Sequence, residues 1–267
     1  MMNKLLLITT LLVGTSVFQL SYCQDNSACM QDLSIFAEYV KVKNYDAAIE
    51  PWMKVRENCP DLNAAIYTYG ERIIKNNIKN GNSDLVESSK KELIKLYDEW
   101  IQYFPKNKNK SIIGDVIGKK AQALLDYKLA DLKKIYSTFD EAYTKDATSF
   151  TNPKFLYNYF KTLYDLYKSG DNQVSMEMLI NKYEEVSEKF DLETVALAKK
   201  LDIILKKEDE GKPLTSREQR RKRIYNINSK AIGTYLSNLD AIIAKEATCE
   251  NLIPLYKRNF EEFKEDS

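Results

Sequence analysis

Residues 44–60 read NYDAAIEPWMKVRENCP, and the spacing of their apolar side chains decides the fold class. Tyr45, Ala48, Ile49, Trp52, Val55 and Cys59 recur at steps of three and four, which lines them along one face of an α-helix. Pro60 stops that helix, because proline lacks the N–H a further turn needs. Upstream, Leu33, Phe36, Ala37 and Val40 form a second stripe, and only the polar turn at Lys43-Asn44 separates the two. Two helices with so short a connection must fold back antiparallel. The same unit recurs downstream. Residues 63–75, NAAIYTYGERIIK, carry Ile66, Tyr69, Gly70 and Ile73 on one face. After the turn-like NGNSD at 80–84 comes a helix with Leu93, Tyr97 and Trp100, ended at Pro105. A third pair places Ile113, Ile117, Gly118 and Ala121 before Ile135, Phe139 and Ala142, with Pro153 closing it. Prolines at 60, 105 and 153 mark a period of 45 and 48 residues, the range of helix-pair solenoids.

These residues resemble the tetratricopeptide repeat. Tyr45, Ala48, Ile49, Trp52, Val55 and Pro60 match the second-helix half of that motif, and Ile66, Tyr69, Gly70 and Ile73 match the first-helix half of the next unit. The small residue has a packing reason: at Gly70 a neighbouring helix comes too close for a side chain. The third unit departs from the pattern, with Gly114 where a large residue is expected, and beyond about residue 105 the units degenerate. The resemblance implies an all-α, right-handed solenoid of antiparallel helix pairs, about eleven helices in all, with first helices exposed on a concave surface. On the family pattern the concave positions are Ala64, Tyr67, Glu71, Ile74 and Lys75 in the second unit, and Asp115, Lys119 and Gln122 in the third. The expected contact residues for a protein or peptide partner are Tyr67, by packing, Glu71, Lys75 and Lys119, by charge, and Gln122 beside them. The exported, Lys/Asn/Tyr-rich character is also similar to exported repeat proteins of the Bacteroides–Flavobacterium group, in which the resemblance implies an envelope scaffold rather than an enzyme.

The N-terminus, MMNKLLLITTLLVGTSVFQLSYCQDN, has Lys4 ahead of an apolar run and small residues at Ser21 and Cys23, the pattern of a secretory signal peptide. It predicts residues 1–23 as the export signal; a marginal membrane anchor and lipidation at Cys23 stay open. Domain boundaries are placed at 24–152 for the clear repeats and 153–267 for looser pairs. Removing the first 23 residues takes one lysine from the 40 bases and leaves them equal to the 39 acids. A neutral exported chain gives no electrostatic case for nucleic acid, and a membrane is reached only by a lipid tether or peripheral contact. The predicted compartment is the periplasm of a Gram-negative bacterium, or its outer membrane if Cys23 is lipidated.

Export permits disulfides. If residues 30–59 form a hairpin, Cys29 and Cys59 sit where its two ends meet; a bridge is expected, and two buried thiols are the alternative. Cys249 has no partner. Its surroundings, CENLIPLYKRNFEEFKED, read like the start of the first hairpin, so the chain is suspected to end inside a repeat. That leaves Leu252, Leu255, Tyr256 and Phe260 on an uncovered face suited to homodimerisation or docking.

Residues 153–168, PKFLYNYFKTLYDLYK, are a strongly aromatic helix. Core packing and an aromatic groove at Tyr157 and Tyr164 are the two readings. The linker KKEDEGKP at 206–213 precedes a capping box, Thr215 with Glu218, that opens a helix rich in Arg217, Arg220, Arg221, Lys222 and Arg223. Positive charge in a first helical turn opposes the macrodipole. Arg220, Arg221 and Arg223 are therefore either a solvated face or a contact for an anionic surface. The absence of histidine removes Ser-His-Asp triads and His-ligated zinc, and the sequence has no phosphate loop, nucleophile elbow or Cys-x-x-Cys pair. No catalytic residue, metal or cofactor is assigned. The expected function is an exported adaptor that binds proteins; a carboxylate-based glycan- or peptidoglycan-processing protein is the alternative.

Overall fold

The structure, a computed structural model, describes residues 16–253, with side chains from Ser27 onward. It is all-α, built of neighbouring helices packed in pairs. The chain forms two compact units, 1–108 and 109–267.

In the first unit, α1 (Ser16–Lys41) turns through Lys43, whose φ of 61° closes the short loop, into α2 (Tyr45–Asn58). Asn44 caps α2 by accepting from the Ala47 N–H. Then come α3 (Ala65–Asn80) and α4 (Ser83–Tyr103), the latter capped by Asn82 within the predicted turn. Phe36, Val40, Ala48, Trp52 and Val55 close on one another at 3% exposure or less. The indole of Trp52 donates to the Ile66 carbonyl at 2.8 Å, so the second hairpin is keyed to the first by a buried hydrogen bond as well as by apolar area. Cys29 and Cys59 are bonded, with Cα atoms 6.4 Å apart, which fixes α1 and α2 as an antiparallel hairpin.

Two two-residue strands, β1 (Lys106–Asn107) and β2 (Lys110–Ser111), follow α4 in the chain and form the one sheet among the described residues. The second unit opens with α5 (Ile113–Asp126) and α6 (Leu132–Asp146). Gly114 departs from the repeat pattern because a Cβ there would lie 2.1 Å from the Asp146 carbonyl oxygen. Asp146 is itself buried. Its carboxylate accepts from the N–H groups of Gly114 and Ser149 and from the hydroxyls of Thr148 and Ser149. Burial works against its charge, but those bonds, with one from Ser111, outweigh it and hold the group well below the usual carboxylate range.

Next come α7 (Pro153–Lys168), α8 (Met176–Asp209) and α9 (Ser216–Glu246). Helices α7 and α9 run parallel, with α8 antiparallel to both: Tyr157 meets Tyr235, Tyr164 meets Glu246, and Tyr183 of α8 donates to Asp240 at 2.8 Å. The Thr215–Glu218 capping box forms as the sequence predicts.

Two readings are corrected. Pro153 starts a helix instead of closing one: it sits in the first turn of α7, where its missing N–H costs nothing. The compact units themselves divide at 108/109, with α6 and α7 packed together in the second. The charged stretch 206–213 is not a linker over its length; α8 continues to Asp209, since exposed Lys and Glu are good helix formers. Residues 249–253 are helical, and Cys249 is free and exposed. The side chain of Cys23 and the apolar positions Leu255, Tyr256 and Phe260 lie outside the described residues. Among those that are described, no helix is long and apolar enough to cross a membrane.

Candidate docking groove

Helices α2 and α4 flank a groove of about 340 Å³ in the first unit. Arg56 lies within it, one turn after Trp52 on the face that α2 turns toward the core. Its Nε donates to Glu99 at 2.7 Å and its Nη1 to Glu92 at 2.5 Å, and its guanidinium stands 5.1 Å from the centroid of the Trp52 ring. Glu92 and Glu99 share one face of α4, being seven residues apart. The Arg56 side chain is only 9% exposed, and its Nη2 is buried with no hydrogen-bond partner among the described residues. Around this fixed cation the groove offers Met53, Glu57, Lys95, Gln102 and Tyr103. Met53 is 45% exposed and Lys95 is 66% exposed. The groove therefore combines an adaptable apolar contact, an aromatic edge and charges of both signs on a rigid floor. Arginine, tyrosine and methionine in a partly desolvated setting are the side chains that anchor protein interfaces.

Within each unit, not all of the expected concave residues lie at the surface. Tyr67 is fully buried: it stacks on Trp100 and Tyr103, with centroids 6.3 Å away in each case, tilts against Phe104, and donates its hydroxyl to the Pro60 carbonyl at 3.0 Å. Burial, with the Glu99 charge nearby, pushes that phenol far above its usual range. It is a structural pin and is withdrawn as a contact residue. Ile74 is buried too. Glu71 accepts from Lys75 at 2.6 Å and from the Tyr97 hydroxyl at 2.9 Å. In the second unit Gln122 is buried, donating to Asp126 and accepting from Asn158, each at 2.7 Å, so it is likewise withdrawn; Lys119 sits 3.5 Å from Asp115. Of the five predicted contacts, Lys75 is the best exposed, at 49%.

The aromatic groove at Tyr157 and Tyr164 is occupied by the chain itself. Tyr157 stacks on Tyr235 of α9, with centroids 5.1 Å apart, and Tyr164 donates to Glu246 at 3.0 Å. Both rings are core-edge packing, which corrects the open-groove reading. Arg220, Arg221 and Arg223 are exposed and make no ion pair among the described residues, whereas Lys222 is taken by Glu208. Arg223 borders a second cavity of about 510 Å³ between the end of α8 and the start of α9, with Leu214, Lys222, Ile227 and Lys230.

Among the described residues no group of three or more Cys, Asp and Glu side chains could hold a metal ion. The α2/α4 groove was missed in the sequence although one sign of it was present: Arg56, at i+4 from Trp52, is a charge on an apolar stripe. Its partners on α4 lie 36 and 43 residues away and leave no local trace. No protein-family model, curated protein or solved structure matches the chain.

Proposed function

We propose that the chain is an exported, tetratricopeptide-like scaffold that docks protein partners in the periplasm of a Gram-negative bacterium, with the α2/α4 groove as its contact surface. The observation that carries this reading is Arg56: a guanidinium held by two carboxylates and an indole, with one N–H edge unsatisfied, on the floor of an open groove. The buried, ion-paired guanidinium makes the floor rigid, so a partner that packs on the exposed Met53 and the Tyr103 edge beside it meets a surface with little freedom left to lose. Glu92 and Glu99 are engaged by Arg56, and Lys95 stands 3.7 Å from Glu99 with most of its side chain exposed, so Glu57 and Lys95 set the charge register of the incoming chain. The Cys29–Cys59 bond agrees with an oxidising compartment.

The test is affinity capture from envelope fractions with the mature chain and with a Met53→Glu/Lys95→Glu variant. Both positions are exposed and the Lys95–Glu99 pairing at 3.7 Å is a surface one, so the variant stays folded, with a modest drop in its thermal unfolding midpoint. The proposal expects a defined partner to be retained by the parent chain and lost, on the order of tenfold, by the variant. An unchanged partner set overturns it.

A further inference from the structure

Helices α8 and α9 outrun their support. Beyond residue 190 only Ile204 of α8 is buried, and on α9 no residue before Ile232 is. Residues 191–231 thus form a two-helix arm with little core. The outer part of that arm, residues 199–230, carries eleven Lys and Arg against five Asp and Glu, in a chain whose net charge is only +1. Four of those acids are engaged inside the arm: Asp202 pairs with Lys206, Glu208 with Lys222, Glu210 with Lys212 and Glu218 with Lys207. The fifth, Asp209, is the last residue of α8.

On α9, Arg217, Arg220, Arg223, Ile224, Ile227 and Lys230 recur at steps of three and four and lie along one face. All six are exposed, Ile224 by 43% and Ile227 by 55%. None of the four cations makes an ion pair among the described residues, and Arg221 at the edge of the face makes none either. No acid stands on that face. The three carboxylates of α9 bond back onto its neighbours: Glu218 to Lys207 and Asp240 to the Tyr183 hydroxyl, both on α8, and Glu246 to Tyr164 and Lys168 on α7. Beside the stripe, the cavity of about 510 Å³ repeats the pairing of apolar and basic, lined by Leu214 and Ile227 together with Arg223 and Lys230. Glu208, which also lines it, is held by Lys222.

Exposed isoleucines set among unpaired cations, with no carboxylate between them, fit the boundary between lipid headgroups and acyl chains. A helix there lies flat, with its apolar side chains dipped and its basic ones on the phosphates. We propose that this face of α9 docks the arm, as a peripheral contact, on a membrane bearing anionic phospholipid headgroups. Arg217, Arg220, Arg223 and Lys230 meet the phosphates, and Ile224 and Ile227 enter below them. Charge and apolarity together select this occupant. A second copy of the face would bring arginine against arginine. A soluble polyanion would satisfy the cations and leave both isoleucines in water. The α2/α4 groove lies in the other compact unit, and neither proposal needs the other.

Flotation of the mature chain with vesicles tests it, using protein made without residues 1–23 so that no acyl group at Cys23 contributes. The expected result is binding to vesicles of equal parts phosphatidylcholine and phosphatidylglycerol, none to phosphatidylcholine alone, and loss of binding as salt is raised. An Arg217→Ser/Arg220→Ser/Arg223→Ser variant should bind on the order of a hundredfold more weakly. An Ile224→Ser/Ile227→Ser variant keeps every cation and should bind about tenfold more weakly. Both variants change exposed positions only, so each stays folded, which far-UV dichroism checks. No binding to the anionic vesicles, binding that the arginine variant retains in full, or binding indifferent to the isoleucine variant each overturns the proposal. The last result would mark the face as a site for polyanions at large.

Discussion

Gly70 lies against the indole of Trp52: a Cβ at position 70 would sit 2.7 Å from Nε1 and 2.8 Å from Cε2 and Cζ2. The same Nε1 is the donor to Ile66, so the ring cannot retreat without breaking a buried hydrogen bond. Gly70→Ala gains about 1 kcal/mol of helix propensity and loses more through overpacking, for a net destabilisation of about 1–3 kcal/mol. Urea unfolding measures it. A variant as stable as the parent would show that the two hairpins are not keyed at this point.

The Cys29–Cys59 bond closes a loop with a sequence separation of 30 residues. Cys59→Ser should destabilise the first unit by about 3–4 kcal/mol on the loop-entropy account. Non-reduced peptide mapping should recover a 29–59 cross-link from exported protein and none involving residue 249 within the same chain.

Both relationships were legible in the sequence because each is an end effect of a helical hairpin: a short turn fixes two helices antiparallel, and the positions that then meet follow by counting. The Thr215–Glu218 capping box is local for the same reason. What stayed hidden depended on distant partners. Tyr67 looks like a surface residue on the repeat pattern, yet the aromatic end of α4 closes over it. Tyr157 and Tyr164 present a free stripe until α9, some 80 residues on, packs against them. The stretch 206–209 has a composition shared by linkers and solvated helices, and composition does not separate the two.

Asp146 gives the second unit an acid limit. Its folded pKa lies below its unfolded value of 3.8, so its contribution is fully present above about pH 4 and is lost as the pH falls through the folded value. Asp146→Ala leaves the N–H groups of Gly114 and Ser149 without this acceptor and should cost about 2–4 kcal/mol at neutral pH. Urea unfolding at pH 7 and pH 3 should show a smaller gap between parent and variant at the lower pH.

Arg56→Ala removes a cation that holds Glu92 and Glu99 together and should cost about 2–4 kcal/mol. Arg56→Lys keeps the charge but lacks the fork that reaches both carboxylates, and should recover only part of the loss. Thermal unfolding of the three proteins ranks them directly. Equal midpoints for Arg56→Lys and the parent would contradict the two-carboxylate geometry.

The docking role of the α2/α4 groove is tested most directly by site-specific photocrosslinking in intact cells. A benzophenone side chain at Met53 should form an adduct with another envelope protein, while the same probe at Glu87, five residues from Glu92 and well around α4 from it, should not. An exported, folded chain that crosslinks to nothing from Met53, or equally from both positions, would contradict the account.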